Sequence, residues 1–239
     1  MRQNINRCFR PSILMTCVSL IAVSAFSALG FWQLQRAELK FEIQKRFEMR
    51  LADDYQLVSE LPRSNENQYL KIRMFGRYDL SREMLIDNRI SKGRVGYELL
   101  TPFILESSSS IVLVNRGWLA QGEHRLPLPK TQAPLVADEI EGIVNFPVSN
   151  SFQLGEVNLD GTDIQLVPYV DLEKIQSRFD GRLAPFIVWM SAEQPGHYER
   201  NWSPAWMIPE KSEAYALQWF SFAGISLLLF IVLNFRKVE

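Results

Sequence analysis

Apolar positions in this chain fall into two unbroken runs, one near each end, while the stretch between them alternates apolar with polar residues. Residues 11–35 hold no charge, and Leu14, Met15, Val18, Leu20, Ile21, Val23, Phe26 and Leu29 make the run apolar on every side. As a helix rising 1.5 Å per residue it reaches about 37 Å, more than the ~30 Å of bilayer hydrocarbon. Residues 214–235 form a second uncharged run, centred on residues 225–233 and closed by Arg236 and Lys237. Both runs predict membrane-spanning helices. A cleaved secretory signal competes for the first, since Arg2, Arg7 and Arg10 make a basic flank and Ala25-Phe26-Ser27 resembles a cleavage site. The run continues to Trp32 and Leu34, beyond the short apolar core of a signal, and this favours a retained anchor.

After the first run the pattern becomes amphipathic. Leu39, Ile43, Phe47 and Leu51 recur every four residues among Lys40, Glu42, Lys45, Arg46, Glu48 and Arg50, so the helix should continue and end near Asp53-Asp54. Residues 60–68, with Pro62, Asn65 and Asn67, read as a loop. The period then drops to two: Leu70, Ile72 and Met74 alternate with Lys71, Arg73 and Phe75, and strands are expected at 84–90, 95–105, 111–118, 139–146, 163–169 and 185–190. Four serines at 107–110 should turn a hairpin, and Leu172, Ile175 and Phe179 predict a short helix within 171–179. The fold class expected is membrane-anchored α+β. Two terminal transmembrane helices would flank a mainly antiparallel β domain, barrel- or sandwich-like, with minor helices. The boundaries are 1–10 cytoplasmic, 11–35 first span, 36–213 periplasmic domain, 214–235 second span and 236–239 cytoplasmic.

Charge sets the orientation. Residues 1–10 carry three Arg and no acid, and the tail carries Arg236 and Lys237, so both ends read as cytoplasmic and the middle as outside. The whole chain balances 26 Lys+Arg against 27 Asp+Glu, a net charge of -1 that excludes a basic nucleic-acid-binding module. Trp32, Trp202, Trp206, Tyr215 and Trp219 lie at the outer edges of the two runs, where amphipathic rings sit at headgroup level, while Trp118 and Trp189 read as core. Ser24 and Ala28 in the first span, with Ala223 and Gly224 in the second, would let the helices approach closely.

Reactive chemistry is sparse. Cys8 and Cys17 are the only cysteines and neither falls in the middle domain, which excludes there a disulfide framework, a thiol exchanger or a thiolate copper carrier. His124 and His197 are the only imidazoles, and no carboxylate stands at metal-ligand spacing from them. Neither a nucleophile-elbow glycine pattern nor a zinc-hydrolase helix motif is present, so a membrane-anchored hydrolase is a poor reading, and no catalytic residue or metal ligand is assigned. Glu139 and Glu141 share a strand face and imitate paired carboxylates, but read better as a solvated face. The more informative stretch is Val112-Leu113-Val114-Asn115-Arg116-Gly117-Trp118. Its Arg116 could bind a carboxylate of a ligand or partner, or tie down the strand end through an internal pair, the structural role being favoured.

Four motifs, taken in order, give the chain a resemblance. They are Gly30-Phe31-Trp32-Gln33-Leu34-Gln35-Arg36, then Asn88-Arg89 with Gly96-Tyr97 and Thr101-Pro102, then Val114-Asn115-Arg116-Gly117-Trp118, then Tyr215-Ala216-Leu217-Gln218-Trp219-Phe220. With two terminal spans, they make the chain resemble the surfeit locus protein 1 family of cytochrome c oxidase assembly factors over nearly its whole length. The resemblance implies a non-enzymatic assembly factor in the bacterial inner membrane, with membrane lipid around its helices. Its implied client is cytochrome c oxidase subunit 1 or an assembly intermediate, and its role is to help mature the haem a-containing subunit. It also nominates Trp32, Gln33, Arg36, Asn88, Arg89, Arg116, Gly117, Trp118, Tyr215, Gln218 and Trp219 as contact residues. A tethered haem a carrier is the alternative, haem a then being a transient cofactor. Some bacterial members are thought to hold haem a through a histidine three residues before the second-span tyrosine. Here that residue is Ser212, no histidine occurs in 198–239, and only His197 could substitute. Serine is not a useful haem-iron ligand.

Overall fold

A computed structural model describes residues 7–58, 61–62, 64–136, 138–147, 164–204 and 208–237. The elements in chain order are β1 (Arg7–Phe9), α1 (Ile13–Ala52), β2 (Gln56–Leu57), β3 (Lys71–Tyr78), β4 (Met84–Ser91), β5 (Arg94–Leu105), β6 (Ile111–Ala120), β7 (Glu139–Asn145), β8 (Gln165–Val167), α2 (Leu172–Gln176), β9 (Leu183–Met190), α3 (Pro209–Asn234) and β10 (Phe235–Lys237). They form two compact units, one of Met1–Arg46 with Pro204–Glu239, the other of Phe47–Ser203.

The first unit is built on α1 and α3, both long and apolar enough to cross a membrane. No helix breaker interrupts α1 from the uncharged run into the amphipathic one, so it continues to Ala52 as the spacing predicts. Pro209 opens α3 at the position where a missing N–H costs nothing. The helices run antiparallel: Phe26 stacks on Trp219 with ring centroids 5.9 Å apart, Phe31 meets Phe220 edge-on, and Lys40 Nζ donates to Ser212 Oγ at 2.9 Å. Ser24, Ala28 and Gly224 do not make the close approach expected of them. Ser24 and Ala28 are exposed, and a Cβ on Gly224 would meet nothing within 4 Å. The tight point is Gly30, where a Cβ would lie 2.7 Å from the Phe220 ring, with Ala37, Ala216 and Ala223 buried along the seam. Ile13, Leu14, Ile21, Leu217 and Leu228 point outward, as lipid-facing residues should. At the far end β1 pairs antiparallel with β10, Arg7 opposite Lys237, so the two flanks lie side by side.

In the second unit eight strands follow the order β2-β3-β7-β9-β6-β5-β4-β8, and β3 also pairs with β5. The extra pairing closes β3, β7, β9, β6 and β5 into a ring. Strand β5 makes this possible by its length, pairing with β4 through residues 94–100 and with β3 through residues 103–105. The ring interior holds Ile72, Met74, Phe103, Val112, Val114, Ile140, Val144, Phe186 and Val188, all nearly inaccessible. A second cluster under α2 joins Met84, Ile86, Leu100, Leu113, Ile175 and Phe179. A third, on the face of β4 and β5 opposite the second, joins Leu85, Tyr97 and Leu99. Alternation of side chains along β5 puts Tyr97 and Leu99 on the same face as Phe103, and Leu100 on the other.

The unit is the mainly antiparallel β domain expected, barrel-like and with minor helices. Its parallel pairings, β2 with β3, β4 with β8 and β6 with β9, were not foreseen. The serine tract turns the β5–β6 hairpin, with Leu105 N–H donating to the Ser110 carbonyl. The strand expected at 163–169 is only Gln165–Val167, since Pro168 cannot donate to a ladder; Asp163 lies outside the described residues. Residues 36–46 belong with the helices, so the compact β unit begins at Phe47. Trp202 is a domain residue, its ring stacked on Trp189 at 5.4 Å and its N–H donating to the Met190 carbonyl, and it is not a free interfacial ring. Trp206 lies outside the described residues.

Candidate functional site

The local chemistry of β6 explains the site. Leu100 pairs with Asn115 and Leu99 with Gly117, so Arg116 is one residue too many, a β-bulge. Gly117 sits at φ 125°, a conformation L side chains avoid, and a Cβ there would lie 2.7 Å from the Glu199 carbonyl oxygen. The Asn115 side chain accepts from Gly117 N–H at 3.1 Å and donates to Glu98 Oε2 at 2.7 Å, holding the bulge.

The bulge leaves Arg116 buried, 3% exposed, beside Glu83 at 4%. Arg116 Nη1 donates to Glu83 Oε1 at 3.0 Å and its Nη2 to the Gln132 carbonyl at 2.6 Å. Thr101 and Thr131 hydroxyls donate to the same carboxylate. The guanidinium also faces the rings of Tyr78 and Tyr198 at 5.5 and 5.3 Å. Of the two roles open to Arg116, this is the internal pair: it ties β6 to the start of β4 and to the irregular segment after β6.

A matching bulge sits in β4. Ile86 pairs with Glu98 and Arg89 with Gly96, leaving Asp87 and Asn88 opposite Tyr97, with Asn88 at φ 54°. Asp87 accepts from Arg125 and from Asn88 N–H. Trp118 is then clamped. Its indole N–H donates to the Arg89 carbonyl at 2.9 Å, its backbone bridges Glu199, and Arg94 lies 5.1 Å over its ring. Gly96 leaves room for the ring, since a Cβ would come within 2.6 Å of it. Glu199 gathers Lys92, Arg94 and Ser91 around the β4–β5 turn, and the hydrogen bond from Lys92, ahead of the attraction of Arg94, holds its carboxyl below the usual range.

Thus Asn88, Arg89, Arg116, Gly117 and Trp118 converge on one end of β4, β5 and β6. The spacing of the motifs could not show their acidic partners Glu83, Glu98 and Glu199, because strand pairing, not nearness in sequence, brings them to Arg116, Asn115 and Trp118. Tyr78 was also missed. Burial pushes its phenol up to about 12 against the pull of Arg116 and Arg200, and its hydroxyl has no hydrogen-bond partner among the described residues.

The remaining nominated residues lie in the helical unit. Trp32 is half exposed beneath Arg36, whose guanidinium stands 5.0 Å from its ring, and Gln33 is half-buried on α1. On α3, Tyr215 and Gln218 are exposed while Trp219 packs on Phe26. Ser212 is buried and accepts from Lys40, so it does not fit a haem-iron ligand. His124 and His197 are exposed, and His197 touches Tyr198 edge-on. Among the described residues no three His, Cys, Asp or Glu side chains gather around a metal position. Glu139 and Glu141 flank Arg73 as surface ion pairs.

Residues 20–224 match the SURF1 family, a span that takes in most of both long helices and the whole β unit. The chain belongs to the SURF1 family. A yeast relative, the cytochrome oxidase assembly protein SHY1 of Saccharomyces cerevisiae, is 28% identical over 53% of this chain and 35% of its own length. The surfeit locus protein 1 of Takifugu rubripes is 27% identical, covering 68% of this chain and 69% of its own. A SURF1-like protein of Monosiga brevicollis is 22% identical over 86% and 82%. The chain therefore spans about a third of the yeast relative but most of the other two.

Proposed function

We propose that this SURF1 family chain is a membrane-anchored assembly factor for cytochrome oxidase. It works by binding, and its client is subunit 1 or an intermediate containing it, held ready for haem a insertion. The observation that carries this reading is the family match running from α1 through the β unit into α3, joined with a yeast relative whose name states oxidase assembly. Two helices long and apolar enough to span support an anchor. The β1–β10 pairing, which sets the two basic flanks side by side, supports both termini lying on the cytoplasmic side with the β unit in the periplasm of a bacterial inner membrane.

Deleting the gene should lower haem a-containing oxidase activity and its absorbance while transcripts of the oxidase subunits stay level. An unchanged oxidase spectrum overturns the reading. Crosslinking in intact membranes followed by mass spectrometry of the captured neighbours should return an oxidase subunit. A haem carrier would instead copurify with a Soret band lost on His197→Ala, and Ser212 supplies no ligand for that alternative.

A further inference from the structure

Arg36 and Lys40 are the first cations after the uncharged residues 11–35, and Glu213 is the last charge before the uncharged residues 214–235. The antiparallel seam, with Phe31 against Phe220 and Lys40 on Ser212, brings these two boundaries to the same height. Among the described residues neither Arg36 nor Lys40 has a carboxylate partner, although Glu38, Glu42, Glu210 and Glu213 stand on the same two helices. Side chains four apart on a helix are neighbours, about 5–6 Å between Cβ atoms, so both can reach one headgroup.

Both cations are pre-positioned. Ser212 takes one donor of the Lys40 ammonium and leaves two. Arg36 rests over the Trp32 ring and makes no hydrogen bond among the described residues, so its whole planar fork is open. An amphipathic indole at this height belongs at the headgroup layer, and Arg36 lies one turn farther out, at the level of lipid phosphates.

We propose that Arg36 and Lys40, held by Trp32 and Ser212, form a binding site for the phosphodiester headgroup of an anionic phospholipid. The proposal rests on reading α1 and α3 as membrane spans. The guanidinium takes two phosphate oxygens and the ammonium a third contact. A zwitterionic headgroup brings its own cation toward the same pair and fits less well.

The test is native mass spectrometry of the full chain in dodecyl maltoside with dioleoylphosphatidylglycerol, dioleoylphosphatidylcholine or inorganic phosphate added. Phosphatidylglycerol should bind more tightly than phosphatidylcholine, and Arg36→Gln with Lys40→Gln should weaken it about tenfold, as loss of charge-assisted hydrogen bonds requires. Arg36→Lys with Lys40→Arg keeps both charges and should retain the preference, so a fold defect in the neutral pair does not decide the matter. Equal binding of the two lipids, or a preference indifferent to the neutral pair, overturns the site. Displacement of the lipid by millimolar phosphate overturns the lipid assignment in favour of a free anion. Alkaline carbonate extraction separates this from the spanning reading: release of the wild-type chain refutes the spans and the site together, whereas retention without lipid preference refutes the site alone.

Discussion

Arg116 on β6 and Glu83 just ahead of β4 meet at 3.0 Å across the intervening strand β5, whose Thr101 hydroxyl donates to the same carboxylate. Two opposite charges are thereby taken out of water, and removing either one strands the other. Arg116→Met or Glu83→Gln should cost about 3–5 kcal/mol, and replacing both by apolar residues should cost less than either alone. Thermal melts of the full chain in detergent, followed by near-ultraviolet circular dichroism, check this; wild-type melting of Arg116→Met would show the pair to be dispensable.

Gly117 and Gly93 both have positive φ, 125° and 76°, but only Gly117 faces backbone, the Glu199 carbonyl at 2.7 Å. Gly93→Ala should cost about 1 kcal/mol for backbone strain, and Gly117→Ala should cost roughly 3 kcal/mol because the Trp118–Glu199 bridge must also shift. The same melts read both, and equal losses would mean that the crowding at Gly117 relaxes freely.

Tyr78 carries a buried hydroxyl with no partner among the described residues and a phenol pushed up to about 12 by burial. The fold thus favours the neutral ring. The stability it contributes is intact below the ordinary value of 10.0 and is lost as pH climbs from there toward 12. Tyr78→Phe removes both the alkaline loss and the unpaired hydroxyl, so it should raise stability at neutral pH by about 1 kcal/mol and flatten the decline above pH 10. A destabilised Tyr78→Phe would reveal a hydrogen bond to the hydroxyl.

How much of this was readable in the chain depends on the range of the forces involved. Both long helices, the extension of α1 to residue 52 and the main strands follow from periodicity, which is local. The ring closure depends on where β3 meets the distal half of β5, and Pro102, Phe103 and Ile104 carry no local sign of changing partners. Asn88, Arg89, Arg116, Gly117 and Trp118 were legible as motif residues. Tyr78, Glu83, Glu98 and Glu199 were not, because each meets its neighbours in the network only when strands distant in sequence are brought together. Trp202 misled for the same reason: its nearness in sequence to α3 suggested a headgroup position, whereas Trp189 supplies the surface on which it stacks.

Glu199 ties the β4–β5 turn through Lys92, Arg94 and Ser91, and its carboxyl is held low chiefly by the hydrogen bond from Lys92. A depressed carboxylate contributes stability above its ordinary 4.5 that disappears as pH falls below that value. Melting of the wild type should therefore fall more steeply than that of Glu199→Gln as the buffer is taken from pH 6 to pH 3, and parallel declines of the two would remove Glu199 as the clasp.

Ring closure also governs what the β unit presents to its surroundings. A sheet that ends in long unpaired strands invites further strands from neighbouring chains, and a net charge of -1 offers little repulsion to keep such neighbours apart. Among the described residues the two end strands of the large sheet are β2 and β8, of two and three residues. The ring thus keeps most of its backbone hydrogen bonds turned inward, and a neighbouring chain meets mainly side chains there.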